Sequence, residues 1–143
     1  MKRGIKLAVL FMAFAVAGAA QAFNITAKSE NPAIGEPALR SAAQQALAGV
    51  RIPDDPNVKI WVYSHAHPSK IGQNQLIYLH RIQLRRAFNA GPPYAYAGWL
   101  PVVTVERYGV GDDKEVREEL DHVLSEFVTK MKGIDPATGK GIE

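Results

Sequence analysis

Residues 74–88 read NQLIYLHRIQLRRAF, and the fold turns on whether this stretch is extended or helical. Arg81, Gln83 and Arg85 alternate with Ile82 and Leu84. Alternation of polar and apolar side chains is the signature of a half-buried strand. A helix is the rival, because Leu, Gln and Arg all tolerate helices. Read as a strand, the segment is the middle of a β-meander. Before it, VKIWVYSHAH (58–67) is rich in β-branched and aromatic residues and reads as a strand. PSKIGQ between them reads as a loop. After it, NAGPP breaks the chain, and YAYAGWLPVVTVERYGV (94–110) reads as a third strand. Pro101 cannot donate to a ladder, which points to a sheet edge or a bulge there.

Two helices flank the strands. Leu39, Ala42, Ala43, Ala46, Leu47 and Val50 recur at helical spacing after Glu36. Val116, Leu120, Val123, Leu124, Phe127 and Met131 do the same near the C-terminus. Asp112 or Asp113 can cap that second helix, and Asp112 and Glu115 have capping-box spacing. Lys130 and Lys132 suit its negative end, and Gly133 suits a left-handed stop. The expectation is a two-layer α+β domain, ordered helix-strand-strand-strand-helix, with a three-stranded antiparallel β-meander covered by both helices. It spans 36–133. An irregular arm (23–35) precedes it, and a mobile polar tail (134–143) follows. Such a sheet has two open edges, which a strand from the arm or a homodimer through an edge strand could close.

The first 22 residues, MKRGIKLAVLFMAFAVAGAAQA, carry Lys2, Arg3 and Lys6, an apolar run and Ala20-Gln21-Ala22. This is the pattern of a secretory signal peptide, cleaved between Ala22 and Phe23. The run is too short for a membrane anchor, which needs about 20 apolar residues. The expected location is therefore periplasmic or secreted, without stable membrane insertion. The whole chain has 17 Lys+Arg and 14 Asp+Glu, and removing the three bases of the leader leaves 14 of each. A neutral mature chain argues against a nucleic-acid partner. There is no cysteine, so no disulfide supports the fold.

Charge is nonetheless uneven. Between 59 and 107 lie six bases (Lys59, Lys70, Arg81, Arg85, Arg86, Arg107) and one acid, Glu106, whereas 111–132 carries seven acids and four bases. A basic sheet face built from Lys59, Arg81, Arg85 and Arg107 is a candidate anion-binding surface. The bland alternative is a wet sheet face kept soluble by arginines. Tyr94 and Tyr96 share a face of the third strand and extend the candidate ligand-binding set; core or core-edge packing is the competing role for such aromatics.

His65 and His67 share a face of the first strand and form a candidate metal pair, which needs a third ligand. His80 is the obvious one. If the turn pairs residue 67 with about residue 74, however, His80 lies opposite Trp61 and out of reach. Solvent-facing histidines at the end of a strand are the competing reading. No catalytic motif is present: no Gly-x-Ser-x-Gly, no phosphate loop, no His-Glu-x-x-His and no cysteine nucleophile. Ser64 and His65 point apart on a strand and are not a dyad. No cofactor is implied, and an enzyme is not the expectation.

LHRIQLRR followed by YAYAGWLPVVTVERYGVGDDKEVREELDHVLSEFVTKM resembles small exported bacterial proteins of unknown function, over about half the mature chain. In these, an arginine-bearing strand precedes a Trp-containing strand, a charged turn and a helix. The layout is also similar to small α/β modules of periplasmic envelope-assembly and transport-accessory proteins, although the anchoring cysteine of the lipoproteins among them is missing. The resemblance implies a periplasmic location and no activity. The function expected is a binding or accessory module, working through its basic sheet face or an open edge. Its partner would be an envelope protein or an anionic envelope component. The alternatives are a metal-binding protein or metal-dependent enzyme centred on His65 and His67, and a self-associating structural subunit.

Overall fold

The computed structural model describes residues 24–92, 96–136 and 138–141. The expected signal peptide, its cleavage site and Tyr94 lie outside the described residues, as does the side chain of Tyr96. The elements run β1 (Ile25–Glu30), α1 (Glu36–Leu47), β2 (Val58–Pro68), β3 (Leu76–Ala90), β4 (Tyr96–Gly111) and α2 (Asp113–Lys132). They form an α+β unit with one mixed four-stranded sheet, ordered β1-β2-β3-β4.

The extended reading of 74–88 holds: β3 is a strand, paired antiparallel to β2 and to β4. The arm before α1 is the correction. Residues 25–30 are not irregular but form β1, parallel to β2 with Ile25 opposite Ile60 and Glu30 opposite His65. Ile25 and Ala27 point into the core. Arg40 of α1 donates to the Ile25 carbonyl (2.8 Å), tying strand to helix. The meander therefore becomes the antiparallel part of a mixed sheet, and the arm closes one side of β2.

Both helices pack on the same side of the sheet, α1 over β1 and β2, α2 over β3 and β4. Side chains of β2 alternate strictly: Val58, Ile60, Val62, Ser64 and Ala66 are buried, and the residues between them are not. Leu39, Ala43 and Leu47 of α1 meet Val116, Leu120, Val123, Leu124, Phe127 and Met131 of α2 in the same core. Burial of these side chains is the main stabilising term, at roughly 1.5–3 kcal/mol for each large one. α2 begins with a full capping box. The Asp112 carboxylate accepts from the Lys114 and Glu115 amides, and the Glu115 carboxylate accepts from the Asp112 amide. Gly133 ends the helix at φ −96°, not in the left-handed region expected of it. Its amide donates back to the Lys130 carbonyl at 3.1 Å.

The segment after α2, read as a mobile tail, closes a hydrogen-bonded loop. Ile134 bridges Gly141, and Asp135 donates to the Lys140 carbonyl (2.8 Å). Gly139 has φ +69° and sits against Val102, where a Cβ would come within 2.2 Å of Cγ1. Glycine is required there on both counts.

The β3–β4 ladder contains one irregularity. Leu84 pairs with Val103, but Arg85 pairs with Pro101, so Val102 is an extra residue. This is a bulge, beside the proline that cannot join a regular ladder.

Candidate functional site

Among the described residues, no helix covers the side of the sheet away from α1 and α2. β2 contributes Lys59, Trp61, Tyr63, His65 and His67 to it, β3 contributes Arg81, Gln83 and Arg85, and the bulge turns Trp99 of β4 onto the same side. The rings of β2 form a ladder. Trp61 and Tyr63 are stacked (centroids 5.2 Å apart, 7° between planes), as are Tyr63 and His65 (6.3 Å, 10°), and His67 tilts against His65 at 5.7 Å. These rings largely occupy one another's faces, so a ligand meets edges and polar tips over most of the ladder.

The exception is its Trp61 end. Lys59 and Arg85 are directly opposed across β2 and β3. The Arg85 guanidinium lies 3.9 Å from the centre of the Trp61 ring, and Lys59 Nζ lies 4.0 Å from that of Trp99. Each is a cation–π pair, worth about 0.5–2 kcal/mol by its degree of desolvation. Arg85 Nε donates to Gln83 Oε1 (2.8 Å), and Gln83 in turn donates to Thr104 Oγ1 (3.0 Å), which fixes the guanidinium. Among the described residues, neither Lys59 nor Arg85 has a carboxylate within ion-pair distance. Burial lowers the pKa of both cations, and like charge adds to it: Arg85 acts on Lys59, and Arg81 acts on Arg85. Two partly desolvated cations without an internal counter-ion form a site that an anion would relieve.

The other charges of this face are neutralised. Arg81 pairs with Glu106 at 2.7 Å. Glu30 receives Lys28 (2.6 Å) and the Tyr63 hydroxyl (3.1 Å), and these hold its carboxyl below the usual range.

Arg107 is not part of the face. It pairs with His80 in register, points to the helix side and bonds Glu126 of α2 at 2.9 Å. Tyr96 lies at the far end of the β3–β4 hairpin, opposite Ala90. The structure thus brings together Lys59 and Arg85, places Arg81 next to them in a closed ion pair, and removes Arg107. Sequence reasoning named neither Trp61 nor Trp99 as a site residue. The signal available was that the chain has two tryptophans in all, both near the basic strands.

His65 and His67 do share a face, and Glu30 of β1 comes beside them. His65 Nδ1 lies 3.4 Å from Glu30 Oε2, without the geometry of a hydrogen bond. Among the described residues no three His, Asp or Glu side chains converge as metal ligands. The register assumed for His80 needs correction. His67 pairs with Ile77, not with residue 74, and His80 lies opposite Ser64, not Trp61. β2 extends to Pro68 and β3 starts only at Leu76, with Ser69 donating to the Gln75 carbonyl (2.7 Å) across the turn. The shift is odd, so it moves His80 to the other face.

There His80 is fully buried and joins a closed network. Its Nδ1 lies 3.0 Å from Ser64 Oγ, its Nε2 lies 2.8 Å from the Val116 carbonyl, and Asn31 Nδ2 donates to Ser64 Oγ at 2.9 Å. A neutral imidazole protonated on Nε2 satisfies every bond: it donates to Val116 and accepts from the Ser64 hydroxyl. Burial lowers the His80 pKa, against the bond to Val116 and the charge of Glu119. Ser64 and His80 touch, but inside the core with all their bonds used, which suits cohesion and not nucleophilic chemistry.

No protein-family model, no curated protein and no solved structure matches this chain.

Proposed function

We propose that this protein is a binding module for an anionic partner, with Lys59 and Arg85 as the anion-holding groups of the uncovered sheet face. One observation carries the reading: two cations are opposed across a strand pair, each is seated on an indole, and neither has a carboxylate partner among the described residues. Stacking holds both side chains before a ligand arrives, which lowers the ordering cost of binding. Action in the periplasm or outside the cell is part of the proposal and rests on the leader-like first 22 residues. The edge of β4 has less support as the working surface, because Pro101 removes one of its backbone donors.

The test uses the protein's own fluorophores, since both tryptophans of the chain belong to the site. Inorganic phosphate titrated into wild type should change tryptophan emission saturably, and added NaCl should weaken the effect. Lys59→Gln combined with Arg85→Gln should weaken binding at least tenfold, with circular dichroism unchanged. Identical titrations in wild type and variant would end the reading.

A further inference from the structure

Beside the two cations lies a shallow cleft of about 430 Å³, lined by Asn57, Ala87, Asn89, Ala97 and Trp99 together with Phe88 and Gly98. That size lies within the range of small-molecule sites. The cleft continues the same rows. Asn57 stands two residues before Lys59, Ala87 two after Arg85, and Trp99 is opposite Ala87. The Ala87 amide is already used, donating to the Asn57 carbonyl at 2.7 Å. The groups left to a ligand are the exposed amides of Asn57 and Asn89 and the uncovered part of the Trp99 indole, whose ring also carries Lys59.

We infer that the ligand is a phosphorylated saccharide, with its phosphate on Lys59 and Arg85 and its sugar in the cleft beside Trp99. The inference rests on the anion-binding reading and narrows it. Two opposed cations without counter-ions match a group of about two negative charges, as a phosphate monoester has at neutral pH; a carboxylate supplies one. Arg85 spends Nε on Gln83, which leaves the outer edge of its guanidinium for paired oxygens. The sugar assignment follows from the composition of the cleft. Two amides that donate and accept suit hydroxyl groups, and an indole suits the C–H face of a pyranose. The small side chains of Ala87 and Ala97 leave room above the strands.

The experiment is a titration of the intact protein with four probes, read by tryptophan emission and by calorimetry: glucose 6-phosphate, inorganic phosphate, glucuronate and glucose. Glucose 6-phosphate should bind at least tenfold tighter than each of the other three. Asn57→Ala with Asn89→Ala should bring its affinity down to that of inorganic phosphate, and leave inorganic phosphate itself unchanged. Equal affinity for glucose 6-phosphate and inorganic phosphate would overturn the saccharide and leave the anion site standing. Glucuronate binding as tightly as glucose 6-phosphate would overturn the phosphate. Absence of binding by any anion would overturn both this inference and the reading beneath it. A phosphorylated trisaccharide that binds tighter still would assign the end of a polymer, and equal affinity would assign a free sugar phosphate; either supports the inference.

Discussion

The two sides of β2 carry polar groups in opposite states. Toward the helices, Ser64 is held by Asn31 and His80, and His80 by Val116, so every bond is closed within the protein. Toward the open side, Lys59 faces Arg85, each cation lies on an indole, and Arg85 bonds Gln83 but no carboxylate among the described residues. A buried polar group that is fully paired contributes to one native arrangement, whereas two opposed cations with no carboxylate beside them among the described residues are open to an outside partner. The difference between a structural polar cluster and a candidate site is therefore satisfaction and not polarity.

The comparison breaks if the inner network proves dispensable, and the largest expected effect is there. His80→Ala removes a fully buried side chain and strands the Ser64 hydroxyl and Asn31. Urea unfolding should show a loss of about 2–4 kcal/mol. The network should also make the protein sensitive to acid. Around His80 stand Glu119 on α2, Arg107 opposite it on β4 and Tyr78, whose ring stacks on it at 5.2 Å. The folded imidazole resists a proton that the unfolded chain takes up around the ordinary value of 6.5. This stability is thus present above that pH and falls as pH drops below it. The quantity to measure is the difference between wild type and His80→Ala from pH 7 to 5, which isolates this one side chain. Parallel pH profiles would refute the assignment.

A smaller effect sharpens the comparison. Arg81 and Glu106 are paired but solvent-exposed, so Glu106→Gln should cost under about 1 kcal/mol in chemical denaturation. A larger loss would mean the open side is also held together by its charges. The smallest effect is the most telling. Neutralising Lys59 and Arg85 to Gln should change stability by about 0.5 kcal/mol or less in either direction, because lost stacking is offset by relieved repulsion. A strongly destabilised double variant would make these residues part of the scaffold.

Most elements were legible in the sequence, and the reasons are local. β2 announces itself by alternation, and α2 by Asp112, Glu115 and its apolar stripe. β1 was legible only as one of two ways to close a sheet edge, a strand from the arm: a parallel partner reached through a helix leaves no turn signal, and only Ile25 and Ala27 of the strand enter the core. The face of His80 was missed because of a turn. Register depends on the length of the turn after Pro68, and a count of the wrong parity sets His80 against the wrong face of β2. Lys59 and Arg85 were named because their strands alternate cleanly. Their platforms were not, since the position of Trp99 depends on the bulge, which the sequence marks only by Pro101.

That bulge has an evolutionary consequence. Val102 is one residue more than the ladder needs, and every side chain between it and the hairpin tip owes its orientation to that surplus. Without the bulge Val102 would pair with Arg85, and Trp99 would swing to the helix side with Leu100 out in its place, with no change to Lys59, Arg85 or either tryptophan. A descendant could lose the arrangement by regularising the ladder, through replacement of Pro101 by a residue that can donate to it, while keeping every residue that forms it. Among relatives of this protein, a proline at the position of Pro101 would then mark the proposed site better than the cations alone.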